Sequence, residues 1–338
     1  MPKHRVSLKD LAQELGVSIA TVSRALHNSP EIGQEMQRKV KELAQKMNYK
    51  PNPFALSLRS EAPKVIGVVV PNLVTHFFAA VLDGIESEAR KEGYNVISAN
   101  SHERQDDETR AIDNFNSMHV EGIIACLAQE TTDYSHFEEI SRMGIPLVFF
   151  VRTMPNARFS CVTANGAEAA QQATQHLIDT GSRRIAFIGG PNHLDIVQRR
   201  KHGYLEALRE NRIPIERELV SCHRIDYDVA LQETIRLLSM PNRPDAILAF
   251  NDIVTFAAFT AIKQKGLRIP EDVALIGFTD DNHARYVTPR LSTIEDQSQL
   301  IGQKACQLLL RQIKGDTKIY QEVVPLKIVI RETSAKHQ

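Results

Sequence analysis

The sequence predicts a small all-α head followed by an α/β body of two lobes, each built on a doubly wound parallel sheet. Two observations carry this expectation. Residues 7–28, SLKDLAQELGVSIATVSRALHN, read as two short helices joined at a glycine turn. After Pro63, apolar runs alternate with amphipathic helices in two successive sets of over 100 residues each, the pattern of parallel sheets covered on both faces. A chain of 338 residues suits two or three domains, and 42% hydrophobic content is ample for buried cores.

In the head, Ser7 is placed to cap the first helix, with Asp10 as its reciprocal partner three residues on. Leu8, Leu11, Ala12 and Leu15 recur at i, i+3, i+4 and i+7 and form one apolar stripe. Gly16 ends the helix where a positive φ is needed, Val17 fills the gap, and Ser18 starts a second helix running to about Leu26. Ala12, Gly16 and Val22 stand where the closely packed helices of a helix-turn-helix need small or apolar groups. In such a unit the second helix enters the major groove of DNA. Here it offers Ser18, Ile19, Ala20, Thr21, Ser23 and Arg24, while Val22 and Leu26 face the core. An ordinary helical hairpin shares the pattern, so the flanking sequence matters. A third amphipathic helix is expected over 33–46, with Met36, Val40, Leu43, Ala44 and Met47 on one side.

Charge separates head from body. The whole chain is neutral, with 41 Lys and Arg against 41 Asp and Glu. Residues 1–60 nevertheless hold ten basic side chains and five acidic ones. A basic head on an acidic body suits a phosphate-binding module joined to a ligand-sensing domain.

The body opens with strand KVIGVVV and a helix over 76–92, then YNVISAN, a helix over 106–119 and GIIACL. A helix over 137–143 and strand PLVFFV complete the first set. The second set pairs helices over 166–180, 197–211, 228–239 and 253–265 with RRIAFIGG, ELVSCH, AILAFN and VALIGF. Ligands in such sheets sit beyond the carboxyl ends of strands. That rule selects Asn72, Phe77 and Phe78 after the first strand, Tyr227 after ELVSCH, Asn251 and Asp252 at the end of AILAFN, and Thr279 and Asp280 at the end of VALIGF. Polar groups converging with an aromatic face suit a sugar. Asn251 could equally be a helix N-cap.

The motifs VSIATVSRALHNSPEI, YKPNPFALSLR, KVIGVVVP, GYLEAL, PDAILAFND, IPEDVALIGFTDD and RLSTIEDQ span nearly the whole chain. Together they resemble the lactose-repressor (LacI/GalR) family of bacterial transcription regulators. The resemblance implies a helix-turn-helix domain over 1–50, a hinge helix over 51–62, and a periplasmic-binding-protein-like effector and dimerisation domain over 63–338. One lobe would comprise about 63–164 and 294–324 and the other about 165–293 and 325–338, with crossovers near Asn165, Thr293 and Pro325. It also implies that Ile19, Ala20 and Arg24 read bases, Arg24 through a fork suited to guanine O6 and N7. Ser18, Thr21, Ser23 and Asn28 better serve as phosphate anchors. Within the hinge, Asn52 is a DNA contact and Leu58 matches a wedge inserted in the minor groove, which kinks the duplex. Arg200 matches a cleft arginine. Two departures weaken diol recognition: Thr279 and Val151 stand where sugar-binding relatives carry aspartates. A sugar acid or sugar phosphate pairing with Arg200 would tolerate that loss.

The implied protein is an effector-controlled repressor that binds a palindromic operator as a homodimer, in the cytoplasm and without a cofactor. No apolar run approaches the roughly 18 residues of a membrane span. MPKHRVSLKD lacks the apolar core of a signal peptide. The four cysteines are scattered, without CxxC spacing. No glycine-rich nucleotide fingerprint is present, and the carboxylate pairs Asp106–Asp107 and Asp280–Asp281 lack a placed nucleophile, which disfavours an enzyme. A periplasmic-type sugar-binding protein shares the two-lobed fold and stays open as the alternative; it would need an export signal and no basic head.

Overall fold

Among the described residues, the helices α1 (Leu8–Leu15), α2 (Ile19–Leu26) and α3 (Gln34–Lys46) build the first of two units in a computed structural model of the chain. The structure describes residues 6–49, 64–155 and 158–335. The expected hinge, with Asn52 and Leu58, lies outside them. Ser7 and Asp10 form the capping box anticipated from their spacing: the Asp10 N–H donates to Ser7 Oγ (3.3 Å), and the Ser7 N–H donates to Asp10 Oδ2 (2.7 Å). Gly16 adopts φ +64° and turns the chain. Ser18 Oγ caps α2 by accepting from the Thr21 N–H at 3.1 Å. Leu11, Ala12, Val22, Ala25, Val40 and Ala44 close the core.

The second unit, Lys64–Gln338, holds two six-stranded sheets. In chain order it runs β1 (Val65–Val70), α4 (His76–Lys91), β2 (Asn95–Asn100), α5 (Gln105–Ser117), β3 (Gly122–Ala125), α6 (Ser135–Arg142), β4 (Leu147–Phe150) and β5 (Ser160–Ala164). There follow α7 (Gly166–Asp179), β6 (Ile185–Gly189), α8 (Asp195–Glu210), β7 (Val220–Cys222), α9 (Tyr227–Leu238), β8 (Ala246–Ala249), α10 (Asp252–Gln264) and β9 (Ala274–Thr279). The chain closes with β10 (Ser292–Glu295), α11 (Ser298–Ile313), β11 (Gln321–Val324) and β12 (Lys327–Val329).

The first sheet has the order β11-β5-β4-β3-β1-β2 and is parallel throughout. The second has the order β12-β10-β9-β8-β6-β7, and only β12 runs antiparallel. The chain therefore passes between lobes after β5, after β10 and after β11. The middle passage was expected near Thr293, yet β10 pairs with β9 as far as Glu295. The crossing comes at Asp296–Gln297, where Gln297 takes φ +51°.

Helix α11, which the alternation of the sequence did not reveal, completes the first lobe by packing on α4 through glycines. A Cβ on Gly84 would lie 2.2 Å from the Gln299 carbonyl oxygen, and one on Gly302 would lie 2.1 Å from that of Val81. The two backbones touch, and no larger residue fits either position without separating the helices.

Candidate functional site

In the head, α2 turns Ile19, 46% exposed, and Arg24 toward solvent. Arg24 Nη1 lies 2.9 Å from Glu31 Oε2. Ser18 and Thr21 remain at the outer start of the helix, joined through their hydroxyls at 2.9 Å. Asn28 takes φ +56° just past α2 and accepts a hydrogen bond from Lys41 Nζ. Ser23 departs from expectation. It is buried beside Val22, because its position on the helix falls within the arc that packs on the core, and it is not an outward anchor.

In the body, a cavity of about 370 Å³ lies between the lobes. The first lobe supplies Asn72, Thr75, Phe77 and Phe78 from the β1–α4 junction and Val151 and Arg152 from the end of β4. The second supplies Arg200 from α8, Phe250, Asn251 and Asp252 after β8, and Thr279 from the end of β9. Asp296, at the crossing after β10, closes the rear. Direct hydrogen bonds tie the lobes around this space. The Ile225 N–H donates to Gln129 Oε1 (2.8 Å), Thr153 Oγ1 to Asp195 Oδ2 (3.2 Å), and Arg199 Nη1 to Thr163 Oγ1 (3.3 Å).

Two arginines beside the cavity are equally buried, each 5% exposed, and differ in their charge partners. Arg152 grips Glu103 through both terminal nitrogens (2.6 and 3.0 Å) and donates to the Leu127 carbonyl. Arg200 has no carboxylate within ion-pair distance among the described residues. Its guanidinium lies 3.9 Å from the Phe278 ring centroid and 4.7 Å from that of Phe250, and Nη1 donates to the Phe250 carbonyl. Its Nε is buried without a hydrogen-bond partner. Burial lowers its pKa to about 9, with Asp296 opposing the shift. A cation held this way costs free energy unless something pairs with it.

Two further buried atoms of the cavity lining, Thr75 Oγ1 and Asp296 Oδ2, also lack partners. Burial raises Asp296 to about 7, against the opposing backbone hydrogen bond from Ser298. Asp252 is likewise raised to about 7 by burial, although Thr279 Oγ1 donates to it. One buried donor and one buried acceptor without partners, with a hydroxyl able to serve as either, match a small ligand rich in oxygen.

Of the anticipated ligand residues, Asn72, Phe77, Phe78, Arg200, Asn251 and Thr279 come together at this cavity. Asn251 does so while capping α10, its Oδ1 accepting from the Val254 N–H at 3.1 Å. Tyr227 and Asp280 do not join them. Tyr227 starts α9 on the outside, 40% exposed, with its hydroxyl on Thr260. Asp280 turns into the second lobe, where Arg331 (2.7 Å) and Arg285 (3.0 Å) bind it and hold its carboxyl below the usual range despite burial. It does not replace the carboxylate absent at Thr279. Asp252, selected by the strand-end rule, also lines the cavity; Thr75 and Asp296 were not anticipated. Asp296 lies in RLSTIEDQ one residue beyond β10, so the strand-end rule would have found it had that strand been assigned.

Residues 7–52 match the family model "Bacterial regulatory proteins, lacI family", and residues 174–334 match "Periplasmic binding protein-like domain". The chain is 35% identical over 333 residues to the "Probable HTH-type transcriptional repressor ExuR" of Bacillus subtilis (strain 168), covering 97% of this chain and 98% of that protein. The chain belongs to the lacI family of bacterial regulatory proteins. As a member it is a DNA-binding transcriptional regulator rather than an enzyme. The helical match at 7–52 sets it apart from a periplasmic carrier, which has no such head. Among solved structures, a CelR–cellobiose complex is 26% identical, with a TM-score of 0.75 over 97% of this chain and 100% of the other. The operator-bound lac repressor dimer, 23% identical, shares the fold with a TM-score of 0.81, covering 98% of this chain and 100% of that one.

Proposed function

We propose that this lacI-family regulator is a cytoplasmic repressor that binds a palindromic operator as a homodimer. A sugar derivative bearing an acidic group, seated in the cleft, alters its hold on DNA. The buried Arg200, whose Nε has no partner, carries this reading. A carboxylate or phosphate oxygen on that nitrogen would neutralise the Arg200 guanidinium, while Thr75 and Asp296 would take hydroxyls. Asn72, Phe77, Phe78, Asn251 and Thr279 would complete the contacts. On this reading residues 1–50 bind DNA, 51–62 form the hinge, with Asn52 a DNA contact and Leu58 the wedge, and 63–338 sense the effector and dimerise. Ile19, Ala20 and Arg24 would face bases, and Ser18, Thr21 and Asn28 phosphates.

A dimer suits a palindromic operator, since a twofold axis places two heads on two half-sites. No helix of the described residues is long and apolar enough to cross a membrane. Coupling requires the effector to prefer one of two lobe arrangements, and operator DNA must change effector affinity by the same factor.

A melting screen with neutral sugars, sugar acids and sugar phosphates tests this. A true effector at about 100 times its Kd adds about 2.7 kcal/mol of stability, a rise of about 5–10 °C in a domain of this size. Calorimetry showing binding of neutral sugars alone refutes the acidic group. Operator binding that stays unchanged with a bound hit refutes the coupling.

A further inference from the structure

We propose that Glu31 is a positioning residue for base reading: it holds the Arg24 guanidinium toward one base pair and penalises contact with random DNA. The proposal rests on the reading of Arg24 as a base contact. Arg24 Nη1 lies 2.9 Å from Glu31 Oε2, and its other two nitrogens make no hydrogen bond to the described residues. That leaves Nε and the second terminal nitrogen as a two-donor edge, the part of the side chain that matches guanine O6 and N7.

Two exposed side chains meeting on a surface would ordinarily mean little. Here the backbone beneath Glu31 is fixed. Past α2, the Asn28 N–H donates to the Ala25 carbonyl (3.2 Å) and the Ser29 N–H to that of Arg24 itself (3.0 Å), with Asn28 at φ +56°. This is the paired closure of a Schellman turn. Gln37 Nε2 then donates to the carbonyls of Ser29 (3.0 Å) and Ile32 (2.9 Å), bracketing Glu31 from both sides. The turn carrying the carboxylate is thus anchored to the same helix end that carries the arginine. The carboxylate is therefore kept within reach of the arginine.

A carboxylate at the reading face also repels the phosphate backbone. Non-specific binding is almost wholly electrostatic, whereas a base contact fixes the arginine at one site. Glu31 therefore weakens binding to random duplex more than binding to the right sequence. An arginine freed of it can swing to a phosphate instead.

The test uses the full chain and a palindrome selected by the wild-type protein from a randomised duplex library, against random duplex of equal length. Glu31→Gln is expected to tighten binding to random duplex about threefold and to steepen its logarithmic salt dependence by up to about 0.9, one added phosphate contact. The preference for the selected palindrome should fall about tenfold, the loss concentrated at the base pair that Arg24→Ala relaxes. Glu31→Asp keeps the charge but shortens the reach, so it should retain weak random binding while losing base preference. If Glu31→Gln leaves both the preference and the salt dependence unchanged while Arg24→Ala relaxes one base pair, the proposal is overturned and the base reading stands. If Arg24→Ala weakens every sequence equally, Arg24 is a phosphate contact and both fail together. Unchanged melting of the variants verifies that they fold.

Discussion

Arg24 and Arg200 carry the same guanidinium into opposite surroundings. Arg24 stands in solvent with a carboxylate at hand; Arg200 is buried and has none. In water the ion pair adds little stability, so Glu31 can orient Arg24 without being part of the fold. In the cleft the charge is already desolvated, so an anion that reaches it regains interaction energy without stripping the arginine of water. One charge is already paired, and the other is open to completion.

The largest effect expected is at Arg200. Arg200→Met keeps an apolar stem against Phe250 and Phe278 but removes the cation, and effector affinity should drop by ~2–5 kcal/mol. The ligand-free melting temperature should hold or rise, because an unpaired buried charge is gone. A variant that melts early yet still binds the effector by calorimetry would mean that Arg200 supports the fold and not the ligand.

Next in size is Arg24→Ala, expected to cost ~1–3 kcal/mol at one base pair of the operator and little elsewhere. Binding to a panel of single-base operator variants measures this directly.

A third contrast is pH. Asp252 and Asp296 titrate near 7 in the folded cleft, against about 3.9 in an unfolded chain. Between about pH 4 and pH 7 the folded state keeps protons that the unfolded state has released. Their contribution to stability therefore declines as pH rises through that window and is flat above it. The melting temperature of the wild type minus that of the Asp252→Asn, Asp296→Asn double variant should fall by several degrees from pH 5 to pH 7.5. A constant difference would mean that water reaches both carboxyls.

The smallest effect concerns the head alone. Removing the Arg24–Glu31 pair by Glu31→Gln should shift melting of the head by no more than ~0.2–1 kcal/mol, as for other exposed pairs. A larger loss would identify the pair as part of the fold.

The same comparison explains what the sequence disclosed. The head was legible because its signals are local: Ser7 with Asp10, Gly16 and Ser18 lie within one turn of what they cap. The cleft was legible only where a strand end was. Asn72, Asn251 and Thr279 follow apolar runs that announce strands, and each reaches the cavity. Asp296 and α11 follow β10, a four-residue strand of mixed character, and were missed. Asp280 and Tyr227 sit at correct strand or helix ends but point elsewhere. The partners that decide this, Arg331 and Thr260, are 51 and 33 residues distant, and no periodicity encodes them. Ser23 failed for the opposite reason, a single step of 100° around a short helix.

The contact between α4 and α11 has a mechanical consequence. The first turn of α4 lines the cavity, and Asp296 leads directly into α11. Their main chains abut at Gly84 and Gly302 with no side chain between them to act as a cushion. Main-chain contact therefore resists any closer approach of the two helices, and a methyl group at either glycine would push the cavity-lining α4 away from α11.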